Sequence, residues 1–239
     1  STPQGKPVQW MSSRIFLAPA MTAPFPAPEV YDDNWFDRLF IWLFSRKIAT
    51  ALGTRIPQAG YDGFVELSKQ MMQGRSAQEQ QAVVAVVLRS LVPAPILWLI
   101  RTLFSPTRLV CELNAWFATL LFEWLVGPCE VRSVEVTQAD GTVTTQRSGV
   151  HIQKCRYLDQ SRCVGLCVNL CKQPTQAFFT EDFGIPLSMT PNFEDFSCEM
   201  VFGQAPAALE TEPSYEQACL VNQCPIAQAS PKPCPQVRS

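Results

Sequence analysis

Ten cysteines, every one at or after Cys111, constrain this chain more than any other feature. Such density in one stretch is the level of disulfide scaffolds or of metal clusters. The residues before Cys111 hold none and are rich in Trp, Phe and Leu, the composition of an ordinary core. The front half therefore packs by apolar burial, and the back half is stapled by sulfur, by metal, or by both.

The centre of the pattern is Cys155-x7-Cys163-x3-Cys167-x3-Cys171, with Cys129 before it and Cys198 after a gap. On an α-helix Cys163, Cys167 and Cys171 share one face, with adjacent pairs about 5–6 Å apart. That suits two thiolates on one metal or cluster. Cys163 and Cys171 are, however, roughly 12 Å apart along a straight helix. One compact cluster takes all three only if the chain bends, as Gly165 permits by leaving Cys163 in a loop; otherwise the cysteines serve two sites. An iron–sulfur cluster takes four thiolates, zinc also accepts short spacings, and disulfides or buried thiols remain open. A helix does not easily bridge its own i and i+4 cysteines. Cys219, Cys224 and Cys234 sit in a Pro-rich tail and read first as disulfide or loose chain. His151 is the chain's one histidine, which excludes sites needing two. It is a possible mixed ligand at the end of a strand. Glu194, Asp195 and Glu199 around Cys198 read as a solvated loop face before they read as support for a metal.

The net charge of −2 gives no basic field for nucleic acid. Residues 1–28 hold six prolines, two basic residues and no acid, an extended lead that also fits the remnant of an organelle transit region. No signal peptide is visible in it. No apolar run is long and clean enough for a confident spanning helix. Helical signals fill residues 29–128. Asp32 or Asp33 caps a helix ending at Gly53, and Asp62 caps a second. Ser76-Ala77-Gln78-Glu79 is a capping box for a third, running to about Leu91. A short apolar helix covers 96–104, and another follows the Ser105-Pro106 cap to Val126. Residues 129–152 then alternate around Asp140-Gly141, a hairpin signal. Residues 162–183 return to helical spacing with a break at Pro174, and 186–206 read as an ordered irregular loop. The expected fold is α+β: a helical N-terminal half, then a β-hairpin and a Cys-rich, mostly helical or irregular C-terminal half, packed as one compact unit. The division is 1–28 lead, 29–128 helical half, 129–206 Cys-rich core region and 207–239 tail.

Trp124-Leu125-Val126-Gly127-Pro128-Cys129-Glu130, Lys154-Cys155-Arg156-Tyr157-Leu158, the run from Cys163 to Gln176, and the run from Pro191 to Gln204 together resemble a known family. So does Tyr31-Asp32-Asp33-Asn34-Trp35-Phe36-Asp37. They are similar to the plastid β-carotene isomerases of strigolactone biosynthesis, the iron-containing Dwarf family, with its algal and cyanobacterial relatives. The resemblance implies interconversion of all-trans- and 9-cis-β-carotene with iron required, most simply as an iron–sulfur cluster. It implies a plastid, or a cyanobacterial cytoplasm or thylakoid surface. Matching cysteines are Cys129, Cys155, Cys163, Cys167, Cys171, Cys198, Cys219 and Cys224, the expected metal residues. Cys163, Cys167 and Cys171 are the expected catalytic thiols.

The composition suits a hydrocarbon substrate, which is held by apolar burial at about 25 cal/mol per Å². Phe122, Trp124 and Trp116 are the expected cavity walls near the metal region. A double bond rotates once its order falls, through one-electron exchange with a metal centre or reversible thiol addition. A carotenoid carrier with a structural metal and an iron–sulfur redox protein are the competing readings. Peripheral membrane contact is expected through Ile96–Phe104 or the Trp35–Phe44 stripe. The sequence leaves the oligomeric state open.

Overall fold

Helix α1 (Trp35–Leu52) starts at Asn34, whose side chain accepts from the backbone N–H of Phe36 and Asp37 while the Asp37 carboxylate accepts from Asn34 N–H. This is a capping box. The expected caps do not serve, because Asp33 is committed to Arg156. The computed structural model describes residues 28–103, 105–138 and 141–220. Most of the Pro-rich lead, Phe104, the hairpin tip at Ala139-Asp140, Cys224 and Cys234 lie outside the described residues.

Gly53 ends α1 in a left-handed conformation, as expected. Helix α2 (Gly60–Met72) has Asp62 in its first turn and not at its cap, which is Ala59. Helix α3 (Ala77–Leu91) has the Ser76–Glu79 capping box and the end read from sequence. Helix α4 (Ala94–Leu103) follows Pro93. Helix α5 (Arg108–Leu121) is capped by Thr107, one residue beyond the expected Ser105-Pro106 step. The short α6 (Glu123–Val126) stops at Gly127, whose φ is 81°.

The hairpin forms as expected: β1 (Cys129–Thr137) pairs antiparallel with β2 (Val143–Ile152). Helix α7 (Arg156–Ser161) follows. From Leu166 to Lys172 the chain is a π-helix, then α8 (Gln173–Ala177), then a second π-helical segment from Phe178 to Phe183. Pro174 causes no break, because it falls in the first turn of α8, where a missing N–H costs little. The expected loop at 186–206 is instead two strands, β3 (Leu187–Pro191) and β4 (Cys198–Phe202). Alternate residues Leu187, Met189, Cys198, Met200 and Phe202 face the core, a period of two interrupted by the Asn192–Ser197 turn. The antiparallel sheet has the order β1-β2-β4-β3.

Small residues on α5, Cys111, Ala115 and Ala118, are buried, and α5 lies close over β2. Trp124 is the centre of the helical core, 4.7 Å from Phe44 and 5.5 Å from Phe64 between ring centroids. Beside it Arg156 is 4% exposed. Its guanidinium donates to Asp33 Oδ1 at 2.5 Å and to the Trp124 carbonyl, and lies 3.7 Å from the Tyr61 ring and 4.8 Å from Tyr31. Arg156→Ala leaves this surround unpaired and is expected to cost about 3–5 kcal/mol in a urea melt. Arg156→Lys should recover little, since an ammonium neither forks nor stacks. A change within about 1 kcal/mol for both would reject this role.

Candidate functional site

The fold sorts the cysteines. Cys155 precedes α7, and its N–H donates to the Phe196 carbonyl at 2.7 Å. Phe196 ends the turn that delivers Cys198 to the head of β4, so one hydrogen bond ties two cysteines distant in sequence. Cys167 and Cys171 come from the first π-helical segment. Cys163 lies just before it, fully buried, with its carbonyl accepting from Cys167 N–H. The chain turns at Arg162, whose φ is 50°, and not at Gly165, which is helical within the turn that this bond closes; the helix beyond is a π-helix. Its i→i+5 bonding, seen in Gln173 N–H to the Val168 carbonyl, widens the turn and replaces the straight α-helical spacing.

Cys155, Cys167, Cys171 and Cys198 are thiols close enough that charge on one raises the pKa of another. Burial is the main cause in each case. It pushes Cys155 up to about 11 and Cys171 up to about 12, and it holds Cys167 and Cys198 well above the ordinary thiol value. Lys172 opposes this at Cys167 and Cys198. Its ammonium, 3% exposed, donates to Glu212 Oε1 at 2.5 Å and Ser214 Oγ at 2.9 Å. Although burial works against it, these bonds keep the Glu212 carboxyl below its usual value. Lys172 and Glu212 were not legible as a pair, because 40 residues separate them.

The remaining cysteines stand elsewhere. Cys129 and Cys198 are each opposite Ile152 in the sheet, so a whole strand separates them. Burial and then Glu123 raise Cys129 to about 12, with no part played by the four thiols. Cys111, on the buried face of α5, lies against Gly203. Cys219 is a half-buried thiol in the segment after Tyr215. His151 pairs with Glu199, and these register partners sit one step along from Ile152 and Cys198, so they face the other side of the sheet. Asp195 caps the turn through Ser197 N–H.

Both halves of the chain line one apolar cavity. Helices α1, α2 and α3 supply Phe44, Phe64 and Val87, and the Cys-rich half supplies Cys171, Phe178 and Phe179. Phe122 lines it too, with its ring edge-on to Phe179 at 6.5 Å. Trp124 does not: it is 1% exposed within the core. Trp116 is on the outer surface, 51% exposed. Ser68 in the wall donates to the Phe64 carbonyl and bonds Tyr157, so its hydroxyl is already occupied. The cavity holds about 90 Å³, against ~300–1,000 Å³ for ordinary ligand pockets. It takes a segment of a long ligand, and more only if the helices part.

Three buried thiols and the half-buried Cys171 are of the donor type that holds an iron–sulfur cluster. They are not a ready site for a single ion: among the described residues no three His, Cys, Asp or Glu side chains are disposed to hold one. A hydrocarbon-walled cavity with one cysteine, Cys171, in its wall, set in an α+β fold, is the architecture of a class of protein suited to an apolar ligand.

Known proteins narrow this class. The family model described as "Beta-carotene isomerase D27-like, C-terminal" matches residues 124–211. The chain is 42% identical over 190 residues to "Beta-carotene isomerase D27, chloroplastic" of Medicago truncatula, covering 80% of this chain and 73% of that protein. It is 36% identical over 190 residues to the protein of the same name from Arabidopsis thaliana, covering 79% and 70%. No solved structure matches. The chain belongs to the β-carotene isomerase D27 family.

The raised thiols set a pH dependence. An unfolded cysteine ionises near 8.5, whereas these folded ones keep their protons to about 11 or beyond. Above pH ~8.5 the unfolded state has released protons that the folded state retains, so stability falls as pH rises. The urea midpoint of metal-free protein should fall between about pH 8.5 and 10.5. A flat midpoint across that range would count against the burial.

Proposed function

We propose that this chain is a carotenoid cis/trans isomerase acting in the plastid, and that it interconverts all-trans- and 9-cis-β-carotene. Two relatives named as chloroplastic β-carotene isomerases support the isomerase reading and the plastid. The observation that carries the reading is Cys171, which belongs at once to the four-thiol group and to the wall of the apolar cavity. A polyene segment lying between Phe44, Phe122 and Phe179 would touch sulfur while surrounded by hydrocarbon.

Binding is apolar burial in a wall that is mostly hydrocarbon, which suits a molecule with no polar group. Isomerisation needs a fall in double-bond order and returns every atom and electron at the end. Cys171 is a neutral thiol at pH 7, because burial raises its pKa to about 12. Addition of a thiolate is therefore disfavoured in the metal-free protein, and a sulfur committed to iron is not free to add, which leaves one-electron exchange as the preferred route. We infer that Cys155, Cys167, Cys171 and Cys198 would hold iron as an iron–sulfur cluster. When bound, such a cluster supplies reversible one-electron exchange. Binding must displace the thiol protons, so iron loading should strengthen with pH. Lys172 favours that deprotonation at Cys167 and Cys198. Since the substrate resides in lipid, the protein must also meet a bilayer.

Purified, iron-replete protein should form the 9-cis isomer from detergent-dispersed all-trans-β-carotene. Phe122→Trp narrows the cavity and should lower the rate tenfold or more with iron content unchanged. Cys167→Ser and Cys171→Ser should lose iron and turnover together. Protein that binds the carotene and never isomerises it would favour a carrier.

A further inference from the structure

Helix α5 is built with its small side inward and its large side outward. Cys111, Ala115 and Ala118 pack toward the sheet, while Leu109, Leu113, Trp116, Phe117, Leu120 and Leu121 are exposed. Leu109 is 66% and Leu120 50% exposed. No charged residue lies between Glu112 and Glu123. Helix α4 repeats the arrangement: Leu97 alone is buried, and Ile96, Trp98, Leu99 and Leu103 face outward. Apolar faces this continuous mark an interaction surface.

We propose that the outer face of α5, together with α4, docks in the plane of a lipid bilayer. The face extends into the hydrocarbon cavity, because Phe122 caps α5, lines the cavity and meets Phe179. Helix α4 packs on the same Phe178–Phe183 segment. Both helices therefore adjoin the residues that wall the cavity. Arg101 at the border of the face fits an anionic headgroup: it is exposed and directs its guanidinium to the Glu181 carbonyl at 2.8 Å, not to a carboxylate. Arg108, at the N-terminus of α5, is paired with the Glu112 carboxylate at 2.8 Å. The stripe from Leu109 to Leu121 is about 18 Å long, short of the ~30 Å of a bilayer core. No single described helix is long and apolar enough to cross a membrane. The geometry is that of an interfacial helix with Trp and Leu in the acyl boundary. The expected Trp35–Phe44 stripe is also partly exposed and reaches the cavity through Phe44, but Asp37 and Arg38 interrupt it. The identity of the cargo rests on the isomerase reading; the docking does not.

The test is flotation of the full chain with vesicles of phosphatidylcholine and phosphatidylglycerol, beside turnover in detergent micelles and light scattering in solution. The wild type should float as a monomer. A Leu109→Ser/Leu113→Ser/Leu120→Ser variant should keep its circular dichroism and micellar turnover and lose at least tenfold in vesicle partition, while Trp35→Ser/Trp42→Ser should float normally. Flotation with no micellar turnover by the wild type would sink the isomerase reading and leave the docking in place. Docking is overturned if the triple variant floats like the wild type, if the wild type does not float, if the Trp35/Trp42 variant alone is lost, or if the face proves to be a dimer contact that the substitutions dissolve.

Discussion

The buried Arg156 guanidinium is the interaction on which the rest of the structure depends. A charge out of water must be paired or stacked, and here the partners come from everywhere in the helical half. Asp33 precedes α1, Tyr61 is in α2, and the Trp124 carbonyl is in α6. Tyr31 closes over the guanidinium from the lead, and the Tyr61 hydroxyl donates to the Leu125 carbonyl at 2.5 Å. Satisfying one side chain thus draws the helical half onto the residue next to Cys155. Cys155 N–H then takes the Phe196 carbonyl, which fixes the corner before Cys198. The four-thiol group inherits its position from this chain of contacts, and the cavity lies between the same two halves.

Burial explains both the inertness of the thiols and the suitability of their surroundings. A low-dielectric wall raises each thiol by penalising its charged form. The same wall is what a hydrocarbon needs. Lys172 is the exception in this environment, and it is held by Glu212 and Ser214 from the segment after the sheet. Residues 212–214 therefore reach the thiol region through a cation and not through a cysteine.

Local signals were legible and distant ones were not. Ser76 and Glu79 give α3 its start because a capping box needs only four residues. The β1–β2 hairpin follows from alternation on either side of a turn signal. Asn34 lost to Asp33 as the expected cap because nothing local reveals that Asp33 faces a residue 123 positions away. The strands β3 and β4 were hidden by shortness and by the Pro191-to-Ser197 turn between them. At the candidate site, aromatic surplus pointed to the right region but did not separate the roles of its members. Phe122 faces the cavity, Trp124 the core and Trp116 the outside, and only packing decides among three neighbouring turns. The cysteine spacing suggested a shared face but could not announce a π-helix, because i→i+5 bonding leaves no simple period in a seven-residue stretch.

That π-helical segment makes losses and gains of residues between Cys163 and Lys172 unequal. A π-turn is equivalent to one residue more than an α-turn would hold. Deleting a single residue there removes the extra one, and the ladder relaxes to α with the chain beyond still in phase. A further inserted residue has no such outlet, since each α-helical residue turns the chain by about 100°. Cys171 would then swing away from Cys155 and Cys198, carrying Lys172 off Glu212. The segment should therefore accept the loss of one residue more readily than the gain of one, even when that residue is as plain as alanine.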